Sequence, residues 1–234
     1  MNILECKNLT KAYGDFYALT DVNLAVPSGG GIIGLLGPNG SGKTTFIKLL
    51  TGLLQPTAGE VKIAGYPVGV ETKSIVSYLS DFYSLNQSYT VHEELQYFTD
   101  FFPDFNYKKA EQMLSDLAID RSQKVKTLSK GTKEKLALLL TLSRDAKLYV
   151  LDEPIAGVDP AARDYVLETI LQNRNPQSTI LLSTHLISEI EQYFDYVIFL
   201  RNGTVVLEGG AEEVRQKYER SINEIFRGIF RWTM

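Results

Sequence analysis

Only one cysteine, Cys6, occurs in the 234 residues, so no internal disulfide can form. Long apolar runs are missing as well. No stretch approaches the roughly 18 consecutive apolar residues that a membrane-spanning helix needs, so a soluble chain is expected, with any membrane role coming through a partner. The first residues lack the apolar run and small-residue cleavage site of a secretory signal, which with the lone thiol points to a reducing cytosol. Basic charge is not in excess: 24 Lys and Arg against 28 Asp and Glu leave a net charge of -4. That balance lacks the electrostatic footprint of a nucleic-acid binder, and no nucleic-acid partner is expected. Internal repeats and low-complexity tracts are also absent.

What is present is an ordinary globular composition, 44% apolar and 22% charged, with enough chain for one large domain or two closely joined ones. Strand-like runs cover residues 3–9, 22–26, 32–36, 60–64, 75–79, 147–151, 179–184, 196–200 and 204–208, and several alternate with helical patterns. The alternation predicts an α/β fold with a largely parallel sheet. Between about 82 and 144 the strand signals stop. Nine aromatic residues fall between Phe82 and Tyr107 there, and Thr90 with Glu93 forms a capping box ahead of Leu95, Phe98 and Phe102 on one helical face. An inserted helical subdomain is expected. Ile222, Ile225, Phe226, Ile229 and Phe230 follow the spacing of an amphipathic helix, which would dock on the chain's own body or present a partner surface. The expected organisation is therefore an α/β core from 1–81 and 145–214, a helical subdomain at 82–144 and a C-terminal amphipathic helix at 215–234.

Gly37-Pro38-Asn39-Gly40-Ser41-Gly42-Lys43-Thr44 satisfies G-x-x-x-x-G-K-[ST], placed after a buried strand and before a helix. Glycines let the backbone curl until successive N–H groups face phosphates, and the helix N-terminus adds partial positive charge. Lys43 then neutralises the β and γ phosphates, Thr44 offers a hydroxyl to Mg2+, and Thr45 completes the nucleotide-binding set. An accidental match is expected in roughly 1% of chains this long, so an ordinary glycine turn is a remote alternative. Downstream, the apolar run Leu148-Tyr149-Val150-Leu151 ends in Asp152 and Glu153. At the carboxyl end of a strand Asp152 would join the Mg2+ shell, and Glu153 would act as the general base that polarises an attacking water. Two acids after a strand are also a common exposed loop.

Further motifs carry a family resemblance. Leu128-Ser129-Lys130-Gly131-Thr132 resembles the ABC signature, Ala156-Gly157-Val158-Asp159-Pro160 its D-loop, Ser183-Thr184-His185 its switch histidine, and Lys11-Ala12-Tyr13-Gly14 the loop whose aromatic residue stacks on adenine. The match in order and spacing runs from residue 3 to about 214. It implies a P-loop NTPase (RecA-like) core with a small antiparallel β subdomain and an inserted helical subdomain. It also implies MgATP hydrolysis by a head-to-tail dimer, a homodimer or a pair with a similar chain. Each ATP would lie between one copy's phosphate loop and Ser129 and Gly131 of the other, with His185 reaching the γ-phosphate. Each has a second reading: Ser129 as the N-cap of its own helix, Asp159 as the cap of the helix begun by Pro160, Tyr13 as a turn aromatic packing on the β layer, against which adenine stacking is favoured, and His185 as an ordinary surface or packed residue, against which its place after the strand 179–184 weighs.

The chain departs from the family pattern at Lys130 and Thr132, which replace glycine and glutamine, and at Asp81. Asp81 stands where most members carry a glutamine that touches Mg2+ and senses the membrane partner; aspartate still supplies an oxygen, and Asp81 is counted with Thr44 and Asp152 as a metal ligand. With the aromatic helices, these variants resemble the ATPase subunits of ABC-2-type exporters of Gram-positive bacteria. The resemblance then implies transmembrane permease subunits as partners and a cytoplasmic, peripheral location on the inner face of the cell membrane. Two other functions are weighed against this: a regulatory nucleotide-binding subunit impaired in hydrolysis, and a soluble ABC ATPase acting on nucleic acid or ribosomes.

Overall fold

A strand whose two faces are both apolar must be covered on both sides, and four runs of this chain have that property. In the computed structural model, which describes residues 1–80, 85–155, 158, 160–173 and 175–231, these runs form the centre of a six-stranded sheet. In chain order the strands are β1 (Asn2–Tyr13), β2 (Phe16–Pro27), β3 (Gly31–Leu36), β4 (Ala58–Ile63), β5 (Tyr66–Pro67), β6 (Val76–Leu79), β7 (Leu148–Asp152), β8 (Thr179–Ser183), β9 (Tyr196–Arg201) and β10 (Thr204–Gly210). The helices are α1 (Lys43–Leu50), α2 (Val70–Lys73), α3 (Val91–Phe101), α4 (Tyr107–Asp116), α5 (Lys130–Leu142), α6 (Pro160–Asn173), α7 (Ile187–Ile190), α8 (Ala211–Tyr218) and α9 (Ile222–Phe230).

The larger sheet has the order β10-β9-β3-β8-β7-β6, parallel throughout except for β10. Period-2 alternation divides its side chains between two cores. Ile32, Leu36, Tyr149, Leu151, Ile180, Leu182, Val197 and Phe199 face the core built with α3 to α9. Ile33, Leu35, Leu148, Val150, Leu181, Ile198 and Leu200 face the other, shared with α1 and the four-stranded antiparallel sheet β2-β1-β4-β5. The parallel strands end at one edge, which collects residues 36–37, 79–80, 152–153 and 183–185.

The structure extends several expected elements. β1 and β2 are each 12 residues long and meet across the turn at Gly14, where φ is +58°. The end of the hairpin near the turn, residues 10–21, is mostly exposed, so hydrophobic alternation does not reveal it, and ladder hydrogen bonds hold it instead. Between residues 85 and 142 the regular elements are helical, with only isolated bridges at Thr90–Lys124 and Phe105–Arg144. The Thr90–Glu93 capping box forms as expected. Phe102 lies one residue past α3 and its ring sits 5.3 Å from that of Phe98. α9 packs on the chain's own body, with Ile222, Ile225 and Phe230 buried and the Phe230 ring 6.3 Å from Phe199.

Candidate active site

The loop between β3 and α1 is held from outside as well as by its own glycines. Gly42 precedes the helix with φ at +106°, and a Cβ there would lie 2.7 Å from the Ala18 carbonyl of β2. At Gly37 a Cβ would fall 2.4 Å from the Leu200 carbonyl and from Ser41 Oγ, so neither position accepts a side chain without movement. The Gly203 amide, at the β9–β10 turn, donates to the Ser41 carbonyl at 3.0 Å. α1 begins with no side-chain cap and no acidic residue in its first turn, so its N-terminal amides remain open to an anion.

Lys43 folds back across the loop. Its Nζ donates to the carbonyls of Gly37 at 2.6 Å and Pro38 at 3.2 Å. The side chain is only 7% exposed, and burial pushes its ammonium below the usual lysine range against the opposing influence of Glu153 and Asp152. Ser41 Oγ is buried without a hydrogen-bond partner among the described residues. A buried cation satisfied by carbonyls alone, an unmatched hydroxyl and bare helix amides together suit a phosphate chain. Thr44 and Thr45 follow at the start of α1, exposed and half-buried respectively, while Pro38, Asn39 and Gly40 form the outer rim of the loop.

Across the same edge, Asp152 closes the fully buried β7 and pairs in register with Ser183 of β8. Ser183 Oγ donates to Asp152 Oδ1 at 2.5 Å and accepts the Glu153 amide at 3.0 Å. Glu153 takes a left-handed conformation, φ +51°, which costs an L-residue about 1 kcal/mol or more. Its Oε2 lies 2.9 Å from His185 Nδ1, just beyond the end of β8. Thus Lys43 and the cluster of Asp152, Glu153 and His185, more than about 100 residues apart in sequence, share one edge because strand register places them there. Thr44 and Asp152 offer hard oxygen atoms, which fit Mg2+; that ion takes few protein ligands because it shares substrate phosphates. Ser183 was visible in the sequence only as part of the histidine motif. Its sequence signal is a hydroxyl ending an otherwise apolar strand.

Ser129 N-caps α5, accepting the Thr132 amide at 3.1 Å and meeting Thr132 Oγ1 at 2.8 Å. Gly131 is exposed, with open space where a Cβ would go. No hydrogen bond among the described residues joins either to the Lys43–Glu153 cluster. Tyr13 ends β1, 47% exposed, with Lys11 Nζ 5.3 Å from its ring centroid. Asp81 and Asp159 lie outside the described residues.

Bare amides and a buried lysine facing a metal-type carboxylate make this a P-loop nucleoside triphosphatase. Residues 19–156, more than half of the chain, match the family model described as ABC transporter. The chain belongs to that family as an ATP-binding subunit, and it is an ATPase. It is 32% identical over 218 residues to the Nod factor export ATP-binding protein I of Rhizobium etli, spanning 89% of this chain and 68% of that protein. It is 27% identical over 241 residues to the linearmycin resistance ATP-binding protein LnrL of Bacillus subtilis, spanning 96% of this chain and 77% of that one. Among solved structures, an ATP-binding subunit of an ABC transporter superposes with a TM-score of 0.85 at 30% identity, covering 96% and 98% of the two chains. A nucleotide-free ATP-binding cassette from an ABC transporter gives 0.76 at 25% identity, covering 94% and 96%.

Proposed function

We propose that this subunit drives an exporter, hydrolysing MgATP as a head-to-tail dimer docked on separate membrane subunits at the cytoplasmic face of the cell membrane. The observation that carries the hydrolytic assignment is the 2.9 Å contact between Glu153 and His185, one residue past Asp152 and on the phosphate-loop edge. In this reading Glu153 accepts a proton from the attacking water while His185 fixes the carboxylate and reaches toward the γ-phosphate. Lys43 exchanges its two carbonyl partners for phosphate oxygens, and the α1 amides hold the rest of the chain of phosphates. Bound Mg2+ would neutralise charge on the β and γ oxygens, held by Thr44 and Asp152 and, by family resemblance, Asp81. Tyr13 provides a flat apolar surface for the adenine.

Dimerisation is supported by the exposure of Ser129 and Gly131, which have no hydrogen bond to their own chain's phosphate loop among the described residues and so are available to complete the loop of a facing subunit. Asp159 would belong to the same interface. Docking on a permease is supported by a cavity of about 290 Å³ lined by Leu50, Leu53, Tyr78, Phe98 and Phe102, with Leu53 61% exposed at its rim. Phe101 and Tyr97 add exposed rings on α3. Similarity to proteins named for Nod factor export and linearmycin resistance supports the export direction.

The decisive experiment is Glu153→Gln. It preserves shape and hydrogen bonding but removes the base, so kcat should fall at least about 100-fold while MgATP binding persists. The bound nucleotide should then trap a dimer visible by size-exclusion chromatography. Substantial residual turnover would remove Glu153 from the role of base, and a strictly monomeric nucleotide-bound variant would count against the head-to-tail dimer.

A further inference from the structure

Arg163, in the first turns of α6, joins two chain segments that leave the active site in different directions. Its Nε donates to the Val158 carbonyl at 3.1 Å, and its Nη1 donates to Glu189 Oε1 at 2.6 Å. Val158 lies five residues beyond Glu153, and Glu189 lies in α7, four residues beyond His185. Because Glu153 and His185 are themselves bonded at 2.9 Å, the contacts form a closed ring. It runs from Glu153 to Ile155, whose carbonyl accepts the Val158 amide at 3.3 Å, through the guanidinium to Glu189, back along α7 to His185, and across to Glu153.

We propose that Arg163 is a positioning residue that sets the separation of Glu153 and His185 by closing this ring. The inference rests on the assignment of those two residues to hydrolysis. The remaining links are short and local. Leu186 donates its amide to Thr184 Oγ1 at 2.9 Å, and the Glu189 amide reaches the Leu186 carbonyl at 3.2 Å, so local hydrogen bonds link residues 184, 186 and 189. Ile187 and Ile190 are buried, and the far end of α7 is fixed where Glu191 Oε2 accepts the Asn223 amide of α9 at 2.8 Å. The α7 unit is therefore anchored distally by α9 and laterally by Arg163, with His185 at the junction between it and the end of β8.

An ion pair this accessible, with the Arg163 and Glu189 side chains 19% and 35% exposed, adds little to global stability. Its value is geometric, because a planar guanidinium directs two donors at fixed angles to two different segments. Lysine has one ammonium and cannot hold the carbonyl and the carboxylate in that geometry. A misplacement of about 1 Å between catalytic groups suffices for a large rate loss.

The test uses the full chain carrying Arg163→Ala, Arg163→Lys, Glu189→Ala and the Arg163→Ala/Glu189→Ala pair. In steady-state hydrolysis kcat should fall about tenfold for Arg163→Ala and nearly as far for Arg163→Lys, with KM for MgATP within about twofold of wild type. The double variant should be no slower than Arg163→Ala, the non-additivity expected of partners in one contact. In the nucleotide-free protein, amide hydrogen exchange across 184–190 should rise at least about threefold in every variant. Additive kinetic losses, an unchanged kcat or unchanged exchange would each overturn the proposal. If wild type itself hydrolyses no ATP, the catalytic assignment falls, and unchanged exchange across 184–190 would then reject the ring independently. Should Arg163→Ala fail to fold, Arg163→Lys and Glu189→Ala carry both readouts.

Discussion

Individual side chains trade stability for placement, and Glu94 is a case whose sign can be worked out. It is buried on α3 and accepts the Asn86 amide, which ties the preceding loop to the helix. Burial pushes its carboxyl above the usual range, with the Asn86 hydrogen bond opposing in part. The folded protein therefore holds this proton to higher pH than the unfolded chain does. No penalty exists below the unfolded pKa, about 4.3, and one develops as pH rises from there through the folded value. Glu94→Gln keeps an acceptor for the amide without charge. It should gain stability over wild type at pH 7, and the gain should shrink toward pH 4, read as the difference in urea midpoints. A difference that does not vary with pH would show that ionised Glu94 is tolerated without cost.

Elements are joined by groups that hydrophobic periodicity does not mark. Arg144 follows α5 and is 5% exposed. Its guanidinium meets Asp104 at 3.1 Å and the Val76 carbonyl of β6 at 2.8 Å, and it lies 4.1 Å from the Phe102 ring centroid. It also donates to the Lys73 carbonyl of α2 at 3.2 Å. One planar cation thus ties β6 and α2 to the turn between α3 and α4. Arg144→Lys keeps the charge but loses the fork and the stacking, leaving buried acceptors unmatched. We expect a loss of about 2–4 kcal/mol, measured by chemical denaturation. A change below about 0.5 kcal/mol would mean that packing alone joins these elements.

For the whole molecule, Gly131 separates what the isolated chain needs from what an assembly needs. It occupies the first turn of α5 with open space where a methyl group would stand, so the isolated fold does not require glycine there. Gly131→Ala should leave thermal stability unchanged or raise it by up to about 1 kcal/mol through helix propensity. A bulky Gly131→Trp should fold equally well and bind MgATP, yet fail to form the nucleotide-bound dimer on size-exclusion chromatography. Normal dimer formation by Gly131→Trp would place the composite interface elsewhere.

Short-range backbone rules made the phosphate loop, the capping box at Thr90, the parallel α/β alternation and the amphipathic α9 legible in the sequence. Each depends on residues within a few positions of one another, on glycine conformations, and on periods of about 2.0 and 3.6 residues. The turn end of the β1–β2 hairpin, residues 10–21, was less legible because exposed ladder bonds, rather than apolar alternation, sustain it. The partners of Ser183, Arg144 and Arg163 were not legible at all. Their bonds span 31, 40 and 26 residues and join segments that sequence spacing does not relate. Chemistry-bearing residue types were thus determined locally, whereas which of them meet was decided by sheet register and helix packing, because a directional hydrogen bond exists only once both ends have been brought into place.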